Sequence, residues 1–184
     1  MNDNDWQREP PPLEAYSGVA NPEAFSPLHA RRLVQHHLTL IVLVAPLALV
    51  RLNARDEFPG WTADARSFLS ITRTSQELSI VADAVAVPLH VQAARGYRAL
   101  RIEGPLPLDL VGVLAAVAGP LAAAGIPIFA IATFDTDYVL VRESELAQAV
   151  AILTTAGHAV QREGSAAPAD APARTVHRGG HDAL

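Results

Sequence analysis

The stretch that most limits the fold is residues 100–157, where the spacing of apolar residues changes several times. Leu100 and Ile102 alternate with charged neighbours, which is typical of a strand with one buried face. Apolar residues at helical spacing then continue as far as Leu121. Two more strand-like runs, a second helical run and a weaker strand over residues 158–162 follow. This order predicts an α+β domain.

Turn and cap residues predict where the first helix of this stretch begins and ends. Asp109 stands where an N-cap is expected, because its carboxylate can accept from the free amides of the first turn. Pro120 cannot donate to the carbonyl four residues back, so we expect a kink or a tightened last turn near Gly119. Gly125 is expected to supply a left-handed cap.

The next run, residues 128–132, is apolar at every position. A short run of this kind predicts a strand covered on both faces, with another domain or subunit as the second cover. Residues 134–137 make the turn to its hairpin partner over residues 138–141. Ser144 is expected to cap the second helix, and Gly157 to end it.

An earlier apolar run, over residues 38–50, follows Arg31 and Arg32 and imitates an export signal. It has only about 13 residues, short of the ~20 that a spanning helix needs, and Pro46 divides it. We therefore expect no membrane segment. The prediction is two strands, residues 38–44 and 47–52, paired as a hairpin through Ala45 and Pro46.

Composition excludes several classes of function. The 184-residue chain carries a net charge of −5 and no lysine, which argues against a phosphate-coating nucleic-acid surface. It has no cysteine, so disulfides and thiolate metal sites are excluded. The ends are rich in proline and polar residues, which predicts a mobile tail over residues 1–36 and a disordered tail over residues 164–184. His177 and His181 are four residues apart, but two intervening glycines disfavour a helix, and no metal site is predicted.

The upstream half resembles the downstream half when the chain is shifted against itself by sixty residues. Residues 68–81 then lie over residues 128–141, and Glu77 falls on Asp137. This predicts two modules, over residues 37–95 and 96–163, of which the first lacks an obvious long helix.

Three segments of the second module resemble the ACT domain, a ligand-binding module with a ferredoxin-like βαββαβ fold. They are LRIEGPL at residues 100–106, the glycine- and alanine-rich helix over residues 112–126, and ATFDTDYVLV at residues 132–141. The likeness is strongest to the tandem-ACT branch, which includes eukaryotic cytosolic arginine sensors and small bacterial proteins. It implies two tandem ACT modules and a non-catalytic amino-acid-binding role.

The residues themselves suggest a site for a zwitterion. Backbone amides at Leu110, Val111 and Gly112, with the helix dipole behind them, suit an α-carboxylate. Gly112 would let a ligand approach, although it could equally pack against a strand. Asp137 suits an ammonium or guanidinium, although aspartate in a hairpin is often simply solvated.

The family resemblance extends this site to further positions. It implies that Thr133, Phe134 and Asp137 line the pocket with residues 109–113, and that the opposing strand of a neighbouring module contributes backbone groups. The predicted ligand-binding residues are Asp109, Leu110, Val111, Gly112, Val113, Pro127, Ile128, Thr133, Phe134 and Asp137. Leu110 stands where an acid would help to hold a guanidinium, which argues against arginine as the ligand.

The resulting hypothesis is a cytoplasmic sensor or regulatory protein. It would bind a free amino acid or similar small metabolite at an interface between ACT modules, form a homodimer and regulate a partner, with no cofactor, catalytic residue or metal. A regulatory subunit of a biosynthetic enzyme is an alternative. A second alternative is a small-molecule enzyme using Asp135, Asp137 and His158, and a third, weaker one is an RNA-binding sheet presenting Tyr97, Phe129 and Tyr138.

Overall fold

A computed structural model describes residues 37–164 of the chain. The strands are β1 (Thr39–Val42), β2 (Leu47–Leu52), β3 (Leu69–Arg73), β4 (Leu78–Asp83), β5 (Ala94–Ile102), β6 (Phe129–Ala132), β7 (Asp137–Arg142) and β8 (Ala159–Arg162). The helices are α1 (Val113–Ala123) and α2 (Leu146–Thr155), and 3-10 turns lie at Gly60–Asp64 and Glu143–Glu145. The order β5-α1-β6-β7-α2-β8 confirms the predicted α+β class.

The predicted hairpin between β1 and β2 is wrong. Both strands pair antiparallel with β5, Leu40 lying opposite Ile102 and Leu47 opposite Tyr97. They therefore run in the same direction, as one long strand interrupted at residues 43–46. A two-residue hairpin requires residues that adopt positive φ, and Ala45 followed by Pro46 cannot supply them.

Strand β5 is the centre of the sheet. The path of paired strands is β3-β4-β2-β5-β1-β8, and β7 pairs with the opposite side of β5 while β6 pairs with β7. β5 thus contacts both the upstream strands and the downstream hairpin, and the predicted module boundary at residues 95–96 lies inside it. The bounds of the two modules stay a prediction.

Three apolar clusters stabilise the sheet. Leu100 and Ile102 of β5 pack beneath the two helices, against residues such as Val117 and Leu153. On the opposite face of β5, Ala99 joins a second cluster with residues from both halves of the chain. The third cluster lies in the upstream half, and its buried members are Ala48, Val50, Leu78, Ile80, Ala82 and Val87.

The two hairpins β3–β4 and β6–β7 close in the same way, with a register one residue from the predicted one. The amide of Thr74 donates to Glu77 O at 2.9 Å, and the amide of Thr133 donates to Thr136 O at 2.9 Å. The equivalent residues are therefore 59 positions apart. Glu77 matches Thr136, and the predicted match of Glu77 with Asp137 is wrong.

Strand β6 is an edge strand, and residues 37–164 do not cover both of its faces, so the predicted cover by another subunit stays a prediction. Phe129 is 37% exposed, and Ala130 and Ala132 are also exposed. β6 pairs on one side with β7. Its apolar composition therefore does not result from burial within residues 37–164.

The helix ends are only partly as predicted. Gly125 and Gly157 follow α1 and α2 with φ of 72° and 94°, which confirms the left-handed cap at Gly125 and the end of the second helix at Gly157. Pro120 lies inside α1, whose last turn is tightened by a bond from Ala124 N–H to Leu121 O. Ser144 does not cap α2, because it lies within the preceding 3-10 turn and Glu145 is the N-cap.

Several predictions fall outside the described residues. These are the mobile tail over residues 1–36, nearly all of the disordered tail over residues 164–184, the Arg31–Arg32 pair and the histidines His177 and His181. Within residues 37–164, no helix is both long enough and apolar enough to cross a membrane.

Candidate functional site

The turn between β6 and β7 is held by its two threonines. The Thr133 hydroxyl donates to Thr136 O at 2.6 Å, and the amide of Thr136 lies 3.3 Å from the same hydroxyl oxygen. The buried Thr136 hydroxyl donates to Ile102 O at the end of β5, at 2.5 Å. This fixes the half-buried Asp137 at the start of β7 and leaves Phe134 80% exposed.

The loop between β5 and α1 packs against that turn. The amide of Leu106 donates to Asp135 O at 2.8 Å. Gly104 is also close, because a Cβ added there would lie 2.8 Å from the same oxygen. This contact is made by residues 104–106. The loop that leads on to residues 109–113 and the turn with Thr133, Phe134 and Asp137 therefore lie at the same end of the sheet.

The start of α1 differs from the prediction. The helix begins at Val113, and Gly112 is its N-cap, with φ of 91° and no side-chain cap. Asp109 lies in a preceding turn, where the amide of Leu110 donates to Pro107 O at 3.0 Å, so Asp109 does not cap the helix. The Leu110 amide is thus occupied, and Val111 also has a partner. The predicted set of free amides is reduced to the one at Gly112.

Pro127 and Ile128 lie away from this end of the sheet. They precede β6, whereas Thr133 and Asp137 follow it, and β6 extends between the two groups. The described chain does not bring them to the loop of residues 109–113. Their predicted role therefore requires a strand from another module or another copy of the chain.

The charge at this end of the sheet is acidic. Asp109 and Asp135 are exposed, and Asp137 is half-buried. The two ion pairs seen within residues 37–164 are Arg51–Glu77 and Arg98–Glu143, and neither involves these carboxylates. Asp137 is the carboxylate of this group that is partly withdrawn from solvent, so it is the candidate partner for a cationic group.

Several residues predicted for the enzyme and RNA-binding alternatives make structural contacts. His158 is buried, and both ring nitrogens lie within hydrogen-bond distance of backbone groups of Leu38 and Ala116. Tyr138 packs edge-on against Phe68 with ring centroids 5.0 Å apart, and Arg142 covers Tyr97. The His158 imidazole and two of the three predicted stacking rings, Tyr97 and Tyr138, are therefore engaged, whereas Phe129 is exposed.

Two cavities lie elsewhere in the part of the chain that the structure describes. One, of about 370 Å³, is an open groove between α1 and α2, and the other, of about 300 Å³, lies between the β3–β4 hairpin and β6. Neither is lined by any of the ten predicted site residues. The second cavity contains Glu77 and three hydroxyl side chains that the sequence pattern did not single out as a group, because they come from alternate positions of two strands.

Comparison with known proteins identifies the family to which this chain belongs. A family model for the ACT domain matches residues 92–155, and a second model, described as an N-terminal domain, matches residues 47–89. A protein from Agobacterium tumefaciens of known structure is 36% identical, with a TM-score of 0.66, and the match covers 71% of this chain and 96% of that one. The chain belongs to the ACT-domain family.

Other proteins are similar over a shorter stretch or at a lower identity. The cytosolic arginine sensor for mTORC1 subunit 1 is 43% identical over 58 residues in Homo sapiens and 45% identical in Mus musculus. These matches cover 31% of this chain and 18% of each sensor, so the chain spans less than a fifth of those relatives. A Vibrio cholerae protein, 17% identical over 72% of this chain and 99% of its own, shares the fold with a TM-score of 0.57.

Proposed function

We propose that this protein is a non-catalytic regulatory protein that binds a free amino acid at the end of the sheet formed by residues 109–113 and the β6–β7 turn. Membership of the ACT-domain family supports a regulatory, amino-acid-binding role. The similarity to a protein named as an arginine sensor supports a sensing function and, from the same name, a cytoplasmic location.

The observation that carries the proposal is the contact between loop and turn. The bond from Leu106 N–H to Asp135 O and the bond from the Thr136 hydroxyl to Ile102 O attach both segments to the end of β5. As a result, the N-terminal end of α1 and the Asp137 carboxylate lie at the same end of the sheet. A positive helix end and a carboxylate at the same end of the sheet suit a ligand that carries both charges.

Each charge of the ligand has a partner in this arrangement. The α-carboxylate binds at the Gly112 amide, where the helix dipole is positive and no side chain obstructs the approach. The ammonium binds the Asp137 carboxylate in a charge-assisted contact. Leu110 offers no charge to a guanidinium, which argues against arginine as the ligand.

A second copy of the chain completes the site in this proposal. Val111 and Phe134 are 79% and 80% exposed, and Leu108, three residues before Val111, is also exposed. Uncovered apolar side chains of this size are typical of an interaction surface. In a homodimer, Pro127 and Ile128 of a second copy contribute the strand backbone that the single chain does not bring to the loop. Ligand binding would then favour one arrangement of the copies and so regulate a partner enzyme.

A thermal-shift screen against the proteinogenic amino acids tests the proposal. A ligand at a hundred times its dissociation constant adds ~2.7 kcal/mol to the stability of the native state, which raises the melting temperature measurably. Asp137→Ala should abolish the rise, whereas Asp135→Ala, at the exposed neighbouring position, should keep it. The proposal fails if no amino acid raises the melting temperature or if Asp137→Ala responds as the parent does.

A further inference from the structure

A second cleft lies on the opposite side of β6 from its pairing partner β7. It is bounded by the β3–β4 hairpin on one wall and by residues 129–132 of β6 on the other, and its volume is about 300 Å³. The hairpin wall is polar. Its hydrogen-bonding side chains are Ser70, Thr72, Glu77 and Ser79.

The wall formed by β6 offers backbone groups. The pair Thr133–Thr136 closes the hairpin with a hydrogen bond, and bonded and non-bonded pairs alternate along antiparallel strands. Ile131 and Phe129 therefore bond to β7, whereas Ala130 and Ala132 direct their N–H and C=O groups away from it. Both alanines line the cleft and are exposed. The cleft thus has donors and acceptors at the spacing of an unpaired strand.

A positively charged and a negatively charged side chain lie at the rim of the cleft. Arg51 Nε donates to Glu77 Oε2 at 2.8 Å, and the two side chains are 61% and 39% exposed. Arg51 lies opposite Ser79 in the β2–β4 register, so both side chains are on the same face of the sheet. An exposed ion pair of this kind contributes little to stability. A ligand with both charges can therefore replace it at little cost.

The remaining walls set the size of the ligand. Val81 is buried, and Ile131 is half-buried beside it in the cluster between the two halves of the chain. A volume of about 300 Å³ is at the lower end of the range for small-molecule sites. The cleft suits a ligand with a short, partly apolar side chain.

We propose that this cleft is a second ligand site, which takes a small α-amino acid. The carboxylate binds Arg51 and the outward amides of Ala130 and Ala132, and the ammonium binds Glu77 with the nearby hydroxyls. The short side chain contacts Val81 and Ile131. A ligand bound there joins the upstream hairpin to the edge of the downstream hairpin. The site does not depend on the loop site of the proposed function.

An amide-resolved NMR titration of the full chain with L-alanine tests this inference. We expect saturable shifts at the amides of Ala130, Ala132 and Ser79. Propionate lacks the ammonium and ethylamine lacks the carboxylate, so each should bind there at least about tenfold more weakly than L-alanine. Equal binding of propionate or ethylamine would overturn the assignment to a zwitterion, and the absence of shifts at these amides would overturn the site.

Variants separate this site from the loop site. Glu77→Gln and Thr72→Val should each weaken L-alanine binding in the cleft, the former about tenfold because it removes a charge-assisted contact. Glu143→Gln, which alters the other described ion pair, should leave it unchanged. Asp137→Ala should remove amino-acid binding at Gly112 and keep the shifts at Ala130 and Ala132.

The outcomes distinguish the two sites. Loss of the shifts at Ala130 and Ala132 in Asp137→Ala would contradict an independent cleft. Retention of those shifts in a protein whose Gly112 amide never responds would support the cleft and contradict the proposed function. Circular dichroism of the Glu77→Gln and Thr72→Val variants establishes that they are folded, so that lost binding is attributable to the cleft.

Discussion

The Nε2 atom of His158 lies 3.1 Å from the carbonyl oxygen of Ala116, within helix α1. In a regular helix this carbonyl accepts from the residue four positions later, but that residue is Pro120, which has no N–H. The other ring nitrogen, Nδ1, accepts from the amide of Leu38 at 3.3 Å. The hydrogen is therefore on Nε2, and His158 supplies the donor that Pro120 lacks.

A double-mutant cycle measures this relationship. His158→Ala leaves the Ala116 carbonyl and the Leu38 amide without their partner and should lower the free energy of unfolding by about 2 kcal/mol. In a Pro120→Ala background the helix supplies its own N–H, so the same substitution should cost at least ~0.5 kcal/mol less. His90→Ala, at an exposed histidine, is the control and should change stability little. Equal costs of His158→Ala in both backgrounds would refute the relationship.

Asp83 holds the segment that leads into β3. Its carboxylate is buried and accepts from the amides of Arg66, Ser67 and Phe68 at 2.7, 2.7 and 3.2 Å. Asp83→Asn replaces one acceptor with a donor that faces these amides, and should lower the free energy of unfolding by about 1–3 kcal/mol. Chemical denaturation measures the change. Asp64→Asn, at an exposed carboxylate, should have little effect; a similar loss there would show that the buried amide contacts are not the cause.

Arg95 stabilises the segment between β4 and β5. Its guanidinium donates to the carbonyls of Ala84, Val87 and Pro88 at 2.9, 3.0 and 2.9 Å. A lysine keeps the charge but cannot reproduce the planar fork of donors, so Arg95→Lys should raise amide hydrogen exchange over residues 84–93. Arg55→Lys, at an exposed position, should not. Unchanged exchange in Arg95→Lys would mean that the three bonds do not hold the segment.

Alanine substitutions at two glycines of the α1 region should change the stability of the protein in opposite directions. Gly112 has φ of 91°, so Gly112→Ala should be destabilising by about 1–2 kcal/mol, although an added Cβ would meet no atom within 4 Å. Gly119 lies inside the helix with the same open space, so Gly119→Ala should stabilise by up to ~1 kcal/mol. Thermal denaturation of both variants measures the contrast, and effects of the same sign would contradict the assigned backbone conformation.

The sequence predicts the downstream half well because local signals agree there. The strand pattern at Leu100 and Ile102, the helical spacing through Leu121 and the glycines after each helix all act over a few residues. The start of α1 was missed because Asp109 has the chemistry of a cap, but the turn from Pro107 to Leu110 moves the N-cap to Gly112.

The features that were missed depend on pairing between distant segments. The residues near Pro46 do not indicate that β1 and β2 both pair with β5, which lies some fifty residues further along the chain. The predicted repeat is one residue off because residues 128–132 are apolar at every position and carry no alternation that would fix the register. The hydrogen bonds that close the two hairpins do fix it. The cleft beside β6 requires two hairpins to come together in space, which no linear motif encodes.

The most direct test of the central claim is an amide-resolved NMR titration with whichever amino acid gives the largest thermal shift. Binding of the carboxylate at the start of α1 and of the ammonium at Asp137 predicts saturable shifts in two segments, residues 110–113 and 133–137. These shifts should disappear in Asp137→Ala and persist in Asp135→Ala. Saturable binding that leaves both segments of the parent protein unchanged would contradict the account.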